Sequence, residues 1–338
     1  MTIARTITYS AELVGLLDDA TAALNRLGGA GRFIPNLQLL ASPHMRLEAV
    51  HSSRLDGTNA TVADLLRFEA GDRSDIDENH DVQHVANYAD ALAYGIDRLS
   101  DGGTVNLELL RDIHERLMAG TDIAPAPPPT PPPTPVAGMA DALDDLEVFL
   151  QERSMPFLIR LALAHHQLAV INPFPKGNGR LSRLLISLLM VERGVLPEPM
   201  LHLSVYFERN RDRYNELLIS TSRTGNFDPW LTFFLRGVAE QAADAEVRMA
   251  GLVELQAAQR AVLQADSAST NVVRAAEHLF TTPYVSATSL TTGLDVTFPT
   301  AQACIKTLVK RGMLVELTGG KRNRIYSAEA IFDAVYSD

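Results

Sequence analysis

The stretch PFLIRLALAHHQLAVI, Pro156 to Ile171, is apolar nearly all round. A helix without a polar face has to lie inside other structure, so this one demands a shell of amphipathic helices. The sequence supplies them. Apolar residues fall at helical spacing from Ala11 to Leu27, where Gly28, Gly29 and Gly31 are expected to end the first helix. The same period returns in ATVADLLRFEA, VQHVANYADALAYGIDRL, NLELLRDIHERLMAG and MADALDDLEVFLQE, and again in GRLSRLLISLLMVERG, which begins near Gly177. One further helix is predicted around YFERNRDRYNELLISTS, and a long one from Asp228 that bridges to a separate module.

That module starts near Thr270. NVVRAAEHLF, SATSLTTGL and TFPTAQACIKTLVKRG read as three helices, and MLVEL, TGGKRN and RIYS as a hairpin with a Gly-Gly turn. Three helices followed by a hairpin is the order of a winged helix-turn-helix. Lys306, Lys310 and Arg311 lie along one side of its third helix and that helix's end, while Lys321, Arg322 and Arg324 crowd the turn. Such a set suits a helix entering the DNA major groove while the wing grips the flanking backbone. Protein docking is the other reading of the same module.

The whole chain carries a formal charge of -11, which excludes a surface-wide nucleic-acid footprint but allows a local one. With 46% apolar residues and a mean hydropathy of +0.01, the 338 residues bury a substantial core in two domains and a small module. The single cysteine, Cys304, excludes an internal disulfide framework or a cysteine-built zinc site. No apolar run reaches the length of a membrane span and MTIARTITYS lacks a signal-peptide core, so the expectation is a cytoplasmic protein without a membrane partner. Eight prolines between Pro125 and Pro135 cannot be helix or central strand and read as an exposed polyproline II linker.

Chemistry concentrates in INPFPKGNGR, residues 171–180. Gly177 and Gly179 let consecutive N–H groups converge on one anion, and the following helix adds its positive end. Arg180 and Arg183, three apart on one helical face, suit a polyphosphate better than a lone phosphate. His165 and His166 are adjacent, so their side chains point about 100° apart and do not converge on a metal. No metal ligand is assigned.

The stretch resembles the signature of the Fic (Fido) family, His-Pro-Phe-x-Asp/Glu-Gly-Asn-Gly-Arg-x-x-Arg, through Pro173, Phe174, Gly177, Asn178, Gly179, Arg180 and Arg183. The region from Arg32 to Gly71 is similar to the N-terminal region of Fic proteins, and a winged helix is a common C-terminal companion. The resemblance implies AMP transfer from ATP to a target hydroxyl. By position it makes Phe174 the loop anchor and assigns Gly177, Asn178, Gly179, Arg180 and Arg183 to the nucleotide; Lys176 is assigned there by its own charge, as a cation able to neutralise phosphates. Tyr206, Tyr214 and Trp230 fall in a region that lines the adenine pocket in relatives; Tyr214 is assigned to the nucleotide and Trp230 to core packing. SSRLDG, from Ser52 to Gly57, resembles the family's inhibitory motif, whose glutamate pairs with the second arginine; Asp56 is one methylene shorter.

Two positions depart from the signature. Asn172 replaces the histidine that deprotonates the attacking hydroxyl, and a carboxamide cannot accept that proton; losing a general base costs about 10²- to 10⁴-fold. Lys176 replaces the acid that holds magnesium, so little dependence on that metal is expected. Leu168 and Ala169 stand where many relatives carry Phe-Glu, and the proline-rich segment 124–136 takes the place of the target-aligning flap.

The expected architecture is mainly α: an N-terminal helical region over 1–100, a Fic core over 101–265 and a winged helix-turn-helix over 266–338. The first functional reading is a nucleotide-binding regulator, taking ATP or another nucleoside di- or triphosphate, that has lost ordinary AMP transfer. The second is a redirected transferase in which substrate or solvent supplies the base, and the third is low residual AMPylation. Relatives that dimerise imply a homodimer by analogy.

Overall fold

The computed structural model describes residues 3–32, 37–71, 81–121, 138–320 and 323–336. Its helices in chain order are α1 (Ala11–Arg32), α2 (Leu37–Leu55), α3 (Val62–Glu69), α4 (Asp81–Ser100), α5 (Leu107–Met118) and α6 (Met139–Gln151). They continue as α7 (Phe157–Ile171), α8 (Asn178–Glu192), α9 (Leu203–Arg209), α10 (Arg211–Thr224) and α11 (Asp228–Ala265). The chain then runs through α12 (Thr270–Thr281), β1 (Tyr284–Ser286), α13 (Ala287–Leu294), α14 (Phe298–Lys310), β2 (Val315–Glu316), β3 (Ile325–Ser327) and α15 (Glu329–Tyr336).

The apolar segment is the central helix: every residue of α7 except Phe157 and Ala169 is buried. Helices α6, α8, α10 and α11 pack against it, and α2, α4 and α5 close over α8. Among the described residues no helix is long and apolar enough to cross a membrane. The proline-rich segment 124–136 lies outside the described residues.

Three local expectations are corrected. Helix α1 does not stop at Gly28 but runs to Arg32 along α11. Two of its glycines serve close approach: a Cβ on Gly28 would stand 2.6 Å from the Val195 carbonyl oxygen, and one on Gly31 2.9 Å from Met200 Cε. The helix predicted around YFERNRDRYNELLISTS is two, because Asn210 (φ -113°, ψ 35°) leaves helical geometry and its side chain donates to the Tyr206 carbonyl at 3.0 Å. The hairpin gains a third strand: β3 pairs antiparallel with both β1 and β2, in the order β1-β3-β2.

The C-terminal elements do not hang free. Tyr284 and Ile325 form a small apolar cluster with Leu66 of α3 and the adjoining Ala70. Ser286 Oγ donates to the Ala70 carbonyl at 3.0 Å. Arg46 of α2 pairs with Glu69 at 2.8 Å and donates to the Thr281 carbonyl at 2.6 Å.

Candidate anion site

Helix α7 ends on Asn172, whose left-handed backbone (φ 51°, ψ 58°) closes the helix. Asparagine tolerates that conformation better than most residues. Asn178 then clamps the loop from within: Phe174 N–H donates to Asn178 Oδ1 at 2.9 Å, and Asn178 Nδ2 donates to the Phe174 carbonyl at 2.6 Å. The Asn178 amide is committed to the loop, leaving only its backbone N–H for a ligand. Gly177 precedes α8 at φ 77°, where a Cβ would be strained and would meet Met118 Sδ at 2.9 Å.

Both arginines project from the first turns of α8, with side chains only 2% and 3% exposed for Arg180 and Arg183. Arg183 donates from Nε to Ser52 Oγ at 2.8 Å, and from Nη2 to the Ser52 carbonyl and Asp56 Oδ1, both at 2.7 Å. Arg180 meets His84 Nδ1 through Nη1 at 3.1 Å and Met118 Sδ through Nη2 at 3.6 Å. Its Nε stands 3.5 Å from Asp56 Oδ2, an ion-pair distance, yet donates no hydrogen bond. Burial pulls the Arg180 pKa down. Burial also opposes the charge on Arg183, but the Asp56 carboxylate, with the Tyr214 and Tyr88 hydroxyls, more than offsets it and raises that pKa.

One methylene fewer does not keep Asp56 from the arginines. It sits in the turn after α2, where its N–H bonds to the Ser53 carbonyl at 3.0 Å, and Arg211 holds the Leu55 carbonyl at 2.7 Å. The N-cap of α3 is Thr61, so Asp56 is no cap. A Cβ on Gly179 would stand 2.6 Å from Asp56 Oδ1 and 3.0 Å from Arg183 Nη1. The carboxylate therefore lies in the space that a glycine leaves beside the loop.

Tyr214 is corrected as a base-stacking residue. Its ring is buried, stacked on Phe207 at 4.5 Å between centroids, and its hydroxyl bonds to His165 Nε2 at 3.0 Å. A ring enclosed by core aromatics has no face for a base. Its hydroxyl also faces Arg183, so it supports the site from behind. Tyr206 packs on Gly237, and Trp230 donates to the Ala162 carbonyl at 2.9 Å in the core. His165 donates to the Ser182 carbonyl at 2.8 Å and His166 bonds to that of Leu218 at 3.2 Å, so the two rings serve separate core partners.

The loop does not fit magnesium. Lys176 is exposed at the position of the acid, residues 172–180 hold no carboxylate, and Asp56 is committed to Arg183. The surroundings suit an anion better: the α8 N-terminus and two buried guanidiniums are cationic, and the Asp56 carboxylate already occupies the space beside Gly179, 3.5 Å from Arg180 Nε. Sequence reasoning missed His84, His114 and Met118, which reach the site from α4 and α5 and carry no motif of their own. The cationic set is thinner than predicted, because Arg311 pairs with Asp266 at 3.0 Å and Arg324 with Glu316 at 3.2 Å. Lys306 and Lys310 are exposed, while Lys321 and Arg322 lie outside the described residues.

Residues 14–97 match the family described as "Fic/DOC family N-terminal" and residues 104–190 the one described as "Fic/DOC family". A protein adenylyltransferase fic-1 of Caenorhabditis briggsae is 39% identical over 62 residues, a stretch that is 18% of this chain and 11% of that protein. The crystal structure of a Fic family protein from Desulfovibrio desulfuricans G20 superposes with a TM-score of 0.52 at 16% identity, over 95% of this chain and 97% of that one. Fic-1 (residues 134–508) from C. elegans gives 0.55 at 20% identity, over 71% and 73% of the two chains.

Proposed function

The chain belongs to the Fic/DOC family, and on that premise we propose that it is a nucleotide-binding regulator whose ordinary AMP transfer is lost. The observation that carries this reading is the Asp56 carboxylate, lodged between Gly179 and two buried arginines. Two guanidiniums removed from water need an anion, and a nucleoside di- or triphosphate is the exogenous anion that matches two forks, a glycine loop and a helix N-terminus together. In this reading the phosphates displace Asp56, and Gly177, Asn178 and Gly179 contribute backbone N–H groups. Asn172 can orient a hydroxyl at that point but not deprotonate it.

Helix α2 gives such binding a route outward. It carries Ser52 and leads into Asp56 at one end, while Arg46 on the same helix bonds to Thr281 of the C-terminal module. We read that module, over 266–338, as a winged helix that reports nucleotide occupancy to DNA through Lys306 and Lys310. If so, DNA affinity falls steeply with salt, and Lys306→Ala with Lys310→Ala flattens the slope by roughly one unit for each phosphate left without its lysine. Fluorescence anisotropy with genomic fragments reads it, and no binding at low salt assigns the module to protein docking instead.

Calorimetric titration with ATP, ADP and GTP, with and without magnesium, tests the nucleotide reading. The expected result is binding that a chelator leaves intact and that Arg180→Ala weakens by roughly 1.5–3 kcal/mol, the range for hydrogen bonds to charged groups. No labelled AMP should pass to protein. Binding absent at millimolar nucleotide, or indifferent to Arg180→Ala, sinks the proposal.

A further inference from the structure

One ring outside the signature touches the anion loop at three points. His114, in the penultimate turn of α5, stacks on Phe174 with centroids 3.7 Å apart and planes 7° from parallel. Its Nε2 lies 2.9 Å from the Lys176 carbonyl oxygen. A Cβ on Gly177 would stand 3.5 Å from that same Nε2. A backbone carbonyl only accepts, so Nε2 carries the proton and donates.

The bond fixes a peptide plane. In a trans peptide the carbonyl and the N–H point in opposite directions. With the Lys176 carbonyl drawn toward α5, the Gly177 N–H points away from it. Gly177 is the residue at which the plane could turn over at little cost, since glycine takes either sign of φ and this one sits at 77°. Turned over, the plane would present a carbonyl oxygen where the anion needs a donor. Asn178 holds the loop at the Phe174 carbonyl, two peptides too early to prevent this.

We propose that His114 is a positioning residue of the anion seat: by donating Nε2–H to the Lys176 carbonyl it keeps the Gly177 N–H aimed at the bound phosphate. This rests on the polyphosphate reading above. It places part of the loop's preorganisation on α5, outside the signature and 62 residues away from Lys176 in sequence. Stacking on Phe174 sets the ring plane, so the same contact that seats the anchor phenylalanine also aims the donor.

Inorganic tripolyphosphate is the probe, titrated calorimetrically into the full chain. His114→Phe keeps an aromatic ring over Phe174 and removes the donor; it is expected to weaken tripolyphosphate binding about tenfold or more, since the Gly177 N–H, no longer held in place, loses its hydrogen bond to a charged ligand. His114→Gln, whose amide nitrogen reaches about as far as Nε2, is expected to stay within about threefold of the wild type. A merely structural histidine would not be rescued in this way. His114→Leu, which also lacks the donor, replaces the phenylalanine variant should that fail to fold. Wild-type affinity in the donorless variant, or an equal loss in the glutamine variant, overturns the assignment. A wild type that binds no tripolyphosphate instead removes the polyphosphate reading itself.

Discussion

Asp56→Ala is expected to weaken the ligand-free protein and, at the same time, to tighten its hold on polyphosphate. The carboxylate accepts a 2.7 Å bond from Arg183 and faces Arg180 at 3.5 Å, and both guanidiniums are almost wholly buried. Breaking a buried pair by deleting one partner costs about 3–5 kcal/mol, because the remaining charge has no anion and little water. Asp56 itself is 23% exposed, so the loss falls at or below the lower end of that range. The protein should still fold, with a lower melting temperature.

Binding responds in the opposite sense. On the proposed nucleotide reading, a phosphate has to displace in the wild type a carboxylate already paired with the arginines; in the variant that competitor is gone. Affinity for ATP or tripolyphosphate should rise by roughly one to two orders of magnitude, about 1.4–2.8 kcal/mol. At a hundredfold excess over Kd, ligand restores about 2.7 kcal/mol of stability, so the variant's melting temperature should climb further with nucleotide than the wild type's. Gly179→Ala on the Asp56→Ala background should cancel the gain, because its methyl fills the place where Asp56 Oδ1 now lies. Calorimetry and thermal melts on the variants decide it. Unchanged affinity in Asp56→Ala would mean that the carboxylate and the phosphate do not share a seat.

How much of this was legible beforehand follows from how each part is encoded. The central helix α7 showed itself because burial on all sides leaves an unbroken apolar run. The loop glycines and arginines were legible because one contiguous stretch supplies them, and Asp56 because its short motif pointed to Arg183. His84, His114 and Met118 were not, since each lies on an ordinary amphipathic helix and acquires meaning only where α4 and α5 cross the loop. Helix α2 escaped the periodicity because it buries polar residues, among them His44, Glu48, Ser52 and Ser53, and carries Pro43 within it. Gly28 was misread as a stop because a glycine that admits a neighbouring backbone looks, in sequence, like a glycine that ends a helix. Tyr214 was misplaced for the reason common to aromatics: one residue type serves a base pocket and a core equally well.

Acid is expected to unfold this protein early, starting at pH values where most carboxylates are still ionised. His165 and His166 sit neutral in the core, and burial pushes their pKa values down from 6.5 to about 3 and about 4. Unfolded, both rings take a proton near pH 6.5; folded, neither does until far lower. Between those limits the unfolded state binds more protons, so stability is complete above about pH 6.5 and declines as the pH falls toward the folded values. Each ring contributes a slope of about 1.4 kcal/mol per pH unit, and two acting from about pH 6.5 to 4 remove roughly 7 kcal/mol, comparable with the whole stability of a domain. His44 adds to the loss, since burial, with His202 beside it, holds its pKa well below the ordinary value. Glu192 and Glu198 act against it, because burial raises both and their protonation favours the folded state. Those two are only partly enclosed, whereas the histidines have no route to water, so the histidines prevail. Urea unfolding followed at intervals from pH 7.5 to 4 should show the midpoint falling steadily below about pH 6.5. His166→Gln, which keeps a donor for the Leu218 carbonyl but cannot titrate, should flatten the slope by about 1.4 kcal/mol per unit in that range. A midpoint that holds constant down to pH 4.5 would mean that the buried rings are protonated in the folded protein after all.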